Sequence, residues 1–149
     1  MIVKDIMLTP YTIHADSKLK DVVKYFINKK VTGSIVINSQ KDIVGILSDK
    51  DIYRGLYPSY VDFTTNPELY TDFEKQESRV KEMGDTPIKN LMTKKVITTK
   101  PEDNVMKVGA LMLARNVHRF PVVDDTGRLI GTISRGHIYR SLFRKKFDL

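Results

Sequence analysis

Apolar residues recur along this chain with two different periods. Leu19, Val22, Val23, Phe26 and Ile27 follow helical spacing and predict one amphipathic helix. Asp16 or Ser17 stands just ahead of it, where a short side-chain oxygen can accept from the first free amides. Residues 34–38 are rich in β-branched side chains and predict a buried strand. Gln40-Lys41-Asp42 predicts a turn, and residues 43–47 a second strand. Ser48 or Asp49 then starts a helix that runs to about Leu56. The same order returns later. A helix begins near Asn104, strands fall near residues 121–124 and 129–133, a turn lies at Asp125-Thr126-Gly127, and a helix starts near Arg135.

The return is a sequence repeat. At an offset of 86 residues, Val22 meets Val108, Val36 meets Val122, Gly45 meets Gly131 and Ser48 meets Ser134. Ile52-Tyr53-Arg54 meets Ile138-Tyr139-Arg140 at the same offset, and one slipped residue aligns Ile6-Met7 with Leu91-Met92. Each copy reads as short strand, helix, strand, strand, helix. The chain therefore divides into a first repeat at 1–56, an insertion at 57–86 and a second repeat at 87–149. The fold class expected is α+β.

Pro58 and Asn66-Pro67 mark turns in the insertion. Residues 68–83 have a helix-forming composition with a weak apolar stripe of Leu69, Phe73, Gln76 and Val80. The segment is locally acidic, with Glu68, Asp72, Glu74, Glu77, Glu82 and Asp85 against Lys75, Arg79 and Lys81. It reads as a surface excursion over the core, or as a lid or partner contact.

Composition removes several classes of chemistry. The chain has 149 residues, enough for a real core in one domain or two small ones. It has no cysteine, which excludes disulfides, thiolate catalysis and cysteine-based zinc sites. Its three histidines, His14, His118 and His137, lack metal-type spacing. No phosphate-binding Walker loop, GxSxG or dinucleotide fingerprint occurs, so an enzyme is not expected. No apolar run approaches the roughly 20 residues of a membrane span, and the N-terminus does not resemble a signal peptide, so the expected location is the cytoplasm. The net charge of +7 favours anionic partners or simply a solvated surface. Two alternatives stay open: an interaction or dimerisation module without a small ligand, and a nucleic-acid-binding role, although the basic residues are scattered and no binding motif is present.

Several segments resemble the cystathionine-β-synthase (CBS) repeat. Val3-Lys4-Asp5-Ile6-Met7 and Ile88-Lys89-Asn90-Leu91-Met92 look like its opening. His118-Arg119-Phe120-Pro121-Val122-Val123-Asp124 resembles its central basic-then-strand segment, and residues 45–52 its strand-to-helix signature. The resemblance covers both copies and leaves out the insertion. It implies two β-α-β-β-α repeats that pair by their sheets with pseudo-twofold symmetry, a Bateman module. It also implies adenosine ligands in clefts between the repeats, no catalysis, and a homodimer acting on an effector protein not identifiable from sequence. AMP, ADP and ATP are the first ligands implied, with S-adenosylmethionine also known in the family.

The resemblance assigns site residues. Asp51 falls where the family places a ribose-binding carboxylate, and Ser48 where a hydroxyl meets phosphate. Each has a plainer role as well: Ser48 as an N-cap and Asp51 as a first-turn charge worth well under about 1 kcal/mol. His118 and Arg119 resemble the His-Arg pair that meets phosphate in the γ subunit of AMP-activated kinase, and an ordinary ion pair suits Arg119 too. Lys50 and Arg135 are secondary cations. Thr12, Ile13, Thr32, Gly33, Ser34 and Met7 are placed to line the base slot, with core packing open for the apolar ones. His137 occupies the position equivalent to Asp51, where imidazole cannot grip a diol. The resemblance leaves it a phosphate contact if protonated, or a surface histidine.

Overall fold

The offset of the repeat reappears as hydrogen-bond register. A computed structural model describes residues 1–57, 64–65 and 73–149. Strands β2 (Gly33–Ile37) and β3 (Ile43–Ser48) pair antiparallel, as do β4 (Arg119–Val123) and β5 (Leu129–Ser134). Gly33 opposes Ser48 as Arg119 opposes Ser134, and Val36 opposes Gly45 as Val122 opposes Gly131. Each hairpin then slips its register at the following residue. Strand β1 (Thr12–His14) adds to β2 in parallel, with Ile13 against Val36. In the second copy that strand shrinks to one parallel bridge, Thr99 to Val122.

The turns match as well. Asn38 Oδ1 accepts from the amides of Gln40 and Asp42, and Asp124 Oδ1 from those of Thr126 and Arg128. Both are Asx turns, in which a short side chain replaces a backbone acceptor. The left-handed position within them is Lys41 (φ 64°) in one and Gly127 (φ 84°) in the other, and only glycine adopts it without steric cost.

Helix α1 (Leu19–Lys29) buries Leu19, Val22 and Phe26. Ile27 was expected on that face but is 70% exposed. At roughly 100° per residue it lies about a quarter turn or more from the centre of the buried stripe. The expected cap is also corrected. Lys18 holds the N-cap position without a side-chain hydrogen bond. The amides of Leu19 and Lys20 donate instead to the carbonyls of Thr86 and Gly84, and Asp16 is taken by Lys89 at 2.8 Å. Helix α2 (Asp49–Leu56) starts from Ser48 as expected. Helix α3 (Phe73–Met83) forms within the insertion. The turns expected at Pro58 and Asn66-Pro67, and Leu69 of the proposed stripe, lie outside the described residues. Helices α4 (Val105–Ala114) and α5 (Arg135–Phe147) complete the chain, with Asn104 capping α4 through the Met106 amide at 2.8 Å.

Two compact units result, and they do not coincide with the two sequence repeats. One unit is residues 12–95; the other joins residues 1–11 to 96–149. Within the first, Ile88 is fully buried among Leu19, Val22, Phe26, Val36 and Leu47. Within the second, Val3 is fully buried among Val105, Val108, Phe120, Val122 and Ile133. Full burial of each such side chain contributes about 1.5–3 kcal/mol. Backbone pairing agrees: Thr93 and Ile46 exchange two 2.9 Å hydrogen bonds, and so do Leu8 and Thr132. The opening segment of each repeat thus completes the sheet and core of the other.

Two glycines permit the exchange. A Cβ at Gly45 would lie 2.5 Å from Met92 Sδ, and one at Gly131 would lie 2.8 Å from Met7 Sδ. The methionine of each opening segment rests where those side chains are missing. Met7 is therefore a packing residue against β5.

Candidate functional site

The first turn of α2 gathers polar groups around one buried carboxylate. Ser48 leaves β3 in extended geometry (φ −125°), so its amide turns back toward the helix start. Asp51, three residues on, is 4% exposed. Its Oδ2 accepts from the Ser48 amide at 2.9 Å and the Ser48 hydroxyl at 3.1 Å. Its Oδ1 accepts from Thr93 Oγ1 at 2.8 Å and pairs with Arg54 Nη2. This is the Ser-x-x-acid cap arrangement, and it meets the requirement that a buried charge be paired and hydrogen-bonded.

Beside the carboxylate opens a pocket of about 370 Å³, bordered by Asp51, Arg54, Gly55, Asn90, Leu91, Met92 and Thr93. Its size falls near the lower end of small-molecule sites, roughly 300–1,000 Å³. Asn90, Leu91, Met92 and Thr93 come from the segment that opens the second repeat.

Other expected residues of this unit lie nearby or elsewhere. Gly33 opposes Ser48 across the hairpin, and the Thr32 carbonyl accepts from the Asp49 amide at 2.9 Å. A Cβ at Gly33 would stand 3.0 Å from the Leu47 carbonyl oxygen, so the position has little room for a side chain. Lys50 is exposed on α2 and Thr12 is exposed on β1. Ser34 is buried within β2, and its hydroxyl donates to the Ile35 carbonyl at 3.3 Å. Ile13 packs with Leu19 and Val36 in the core.

The second unit repeats the frame with different chemistry. Ser134 caps α5 by accepting from the His137 amide at 3.3 Å. His137 stands where Asp51 stands in the first copy, and its Nδ1 is buried without a partner among the described residues. Burial, then the positive charges of Arg119 and Arg140, hold its imidazole below the ordinary histidine range. These surroundings favour the neutral imidazole. Arg140, the counterpart of Arg54, finds no carboxylate at that position.

His118 and Arg119 take separate partners. Arg135 Nε donates to His118 Nδ1 at 3.2 Å, and the Arg135 amide donates to the His118 carbonyl at 3.0 Å. Arg119 lies with its guanidinium carbon 5.8 Å from the Tyr11 ring centre, and its Nη1 is 3.5 Å from Thr132 Oγ1. The first distance suits a cation–π contact, and the second is at the limit of a hydrogen bond.

Sequence reasoning missed Arg54, Thr93 and Asn90. Arg54 lies in the repeated Ile-Tyr-Arg, which signals duplication and carries no local sign of a partner carboxylate. Thr93 follows the second opening segment directly, but nothing local in the sequence shows that this segment returns to the first repeat. Among the described residues no cluster of three or more His, Asp or Glu is placed to hold a metal ion. No described helix is long and apolar enough to cross a membrane.

Known proteins share this arrangement. The CBS domain family matches residues 3–57 and 88–144. An uncharacterized protein of Methanocaldococcus jannaschii is 34% identical, over 95% of this chain and 91% of its own length. The crystal structure of CBSX2, an Arabidopsis thaliana protein, in complex with AMP has a TM-score of 0.72 at 26% identity, covering 97% of this chain and 98% of that one. The CBS domain pair of protein MJ0100, crystallised with 5′-methylthioadenosine and S-adenosyl-L-methionine, has a TM-score of 0.72 at 23% identity, covering 97% of this chain and 98% of that one, and supports the fold alone. With both copies matched and the register of one hairpin reproduced in the other, the chain belongs to the CBS domain family and carries a pair of its repeats.

Proposed function

We propose that this protein is a regulatory module that binds an adenine nucleotide, with Asp51 as its ribose-binding group, and catalyses no reaction on it. The observation that carries the reading is the buried Asp51 carboxylate beside a pocket of about 370 Å³. A carboxylate accepts from both hydroxyls of a ribose diol, and the pocket's size suits one small ligand. The AMP complex of CBSX2 supports the class of ligand. AMP, ADP and ATP are the candidates, and S-adenosylmethionine is the alternative. Ser48, Lys50, Thr32 and Gly33 surround Asp51 in this reading. Arg119 is proposed as an anion contact in its own unit. A cytoplasmic sensor of energy status fits a chain without cysteine and without any recognisable catalytic motif.

Calorimetric titration with AMP, ADP, ATP and S-adenosylmethionine tests the proposal, with Asp51→Ala alongside. Micromolar binding of one of them, lost in Asp51→Ala, is the expected result. Binding that survives in the variant moves the ligand away from Asp51. No binding at millimolar concentration overturns the nucleotide reading.

A specific observation also favours self-association. On α5, Tyr139, Phe143 and Phe147 form an exposed aromatic ladder, with ring centres 4.8 and 5.3 Å apart. In the first copy, the equivalent Tyr53 on α2 and Tyr57, just past its end, stack at 6.4 Å and are also exposed. Exposed apolar stripes of this kind mark interaction surfaces. We assign these faces to a homodimer, and Phe143→Glu should shift sedimentation from dimer to monomer. A wild-type chain that sediments as a monomer removes the assignment. Binding to arbitrary RNA with a steep salt dependence would instead favour a nucleic-acid role.

A further inference from the structure

We infer that Arg54 makes the Asp51 site selective for phosphorylated nucleotides over nucleosides. The inference rests on the reading of Asp51 as the ribose-binding group. It starts from the fact that both oxygens of this carboxylate are already in use. Oδ2 serves the Ser48 amide and hydroxyl, and Oδ1 serves Thr93 and Arg54. A diol therefore binds by exchange, and the energetics depend on which donor leaves.

The donors are not equally easy to displace. The Ser48 contacts form the start of α2. Thr93 is fixed by its two backbone hydrogen bonds to Ile46. Arg54 sits on a long side chain that is 63% exposed, whereas the Asp51 side chain is 3% exposed. It is thus the donor that a ligand displaces at least cost.

Displacement separates a cation from its carboxylate at the edge of the pocket that Arg54 itself borders. A nucleoside offers the released guanidinium nothing in return. A phosphate offers a bidentate anionic acceptor, which guanidinium matches in geometry and charge. Arg54 therefore opposes every diol ligand and repays only those that carry phosphate. The second repeat keeps the arginine, as Arg140, but places His137 at the carboxylate position, so this exchange belongs to the first repeat alone.

The test titrates wild type and Arg54→Met with adenosine, AMP, ADP and ATP at one ionic strength. Methionine retains an unbranched apolar stem and removes the charge. The expected result is tighter adenosine binding and weaker nucleotide binding, with the preference for the best nucleotide over adenosine falling at least tenfold. A preference that stays within twofold of wild type overturns the inference while leaving nucleotide binding intact. Wild type that binds none of the four overturns the parent reading and this inference together. Circular dichroism and urea unfolding check that the variant folds. If it does not, Arg54→Lys carries the test: it keeps the charge without the bidentate fork, and a preference undiminished there also overturns the inference.

Discussion

Thr93 donates a 2.8 Å hydrogen bond to the Asp51 carboxylate from 42 residues further along the chain. The contact joins the segment that opens the second repeat to the helix that closes the first. Thr93→Val keeps the shape and removes the donor to a buried charge. Hydrogen bonds to charged groups contribute roughly 1.5–3 kcal/mol, and Asp51 keeps its other donors, so a loss of about 1–2 kcal/mol in urea unfolding is expected. A loss under about 0.3 kcal/mol would show that those donors suffice.

The glycines beneath the methionines should differ in their response to a methyl group. At Gly45 an added Cβ meets Met92 Sδ at 2.5 Å, Met92 Cγ at 2.9 Å and the Thr93 carbonyl oxygen at 3.0 Å. At Gly131 it meets Met7 Sδ at 2.8 Å, Met7 Cγ at 3.3 Å and the Leu8 carbonyl oxygen at 3.4 Å. A methionine tip moves easily and a paired backbone oxygen does not. Gly45→Ala should therefore destabilise by about 1–3 kcal/mol, as overpacking does, and Gly131→Ala by less. Equal thermal shifts in the two variants would contradict this ranking.

His137 should make stability fall in mildly acidic solution. Its folded pKa lies below the ordinary 6.5 through burial, with Arg119 on β4 and Arg140 on α5 adding to the effect. Above that value both folded and unfolded chains hold it neutral. Below it the unfolded chain takes up a proton that the folded chain refuses, so stability drops until the pH passes the lower folded pKa. Asp16, Asp85, Asp103 and Asp124 are held below their ordinary 3.8, so their own losses begin only in stronger acid. Unfolding free energies of wild type and His137→Gln, compared between about pH 7.5 and about pH 5.5, isolate the histidine. The variant should lose less than wild type over that interval, and parallel curves would refute the assignment.

Replacing His137 by aspartate should rebuild at α5 the Ser-x-x-acid cap and the arginine partner seen at α2, without the Thr93 donor, whose counterpart is Leu8. Ser134 would precede the acid by three residues and Arg140 would follow it by three, as Ser48 and Arg54 flank Asp51. The change removes the unpartnered ring nitrogen and places a negative charge in the first helical turn. A gain of about 0.5–1 kcal/mol at neutral pH is expected from capping and dipole terms, read as a raised melting temperature. A lowered one would mean that the space around position 137 is shaped for imidazole.

Local signals made most of the fold legible. The hairpins, the helix starting at Ser48, the helix starting near Asn104 and the turn around Gly127 all follow from periodicity, caps and turn chemistry, and the repeat fixed their correspondence. Where a partner is distant, those signals fail. α1 is capped by carbonyls of Gly84 and Thr86, which no inspection of Asp16 or Ser17 reveals. The candidate site was legible in the same measure. Ser48 and Asp51 stand together because one signature carries both. Thr93 and Asn90 reach the pocket only through the exchange of opening segments. His118 and Arg119, adjacent in sequence, diverge because Arg135 holds the first and Tyr11 and Thr132 receive the second.

That exchange sets a schedule for biogenesis. Residues 12–95 form a contiguous unit, complete soon after they are synthesised. The other unit needs both extremes of this sequence, and Leu8 waits for Thr132. Roughly 120 residues of elongation separate the two, on the order of ten seconds on a translating ribosome. Late in that interval, once residue 95 has been made, Val3 and Met7 stay exposed on a nascent chain whose first unit can already close. Val3 and Met7 are thus made long before the residues that bury them, and they belong to the segment on which a holding chaperone would act.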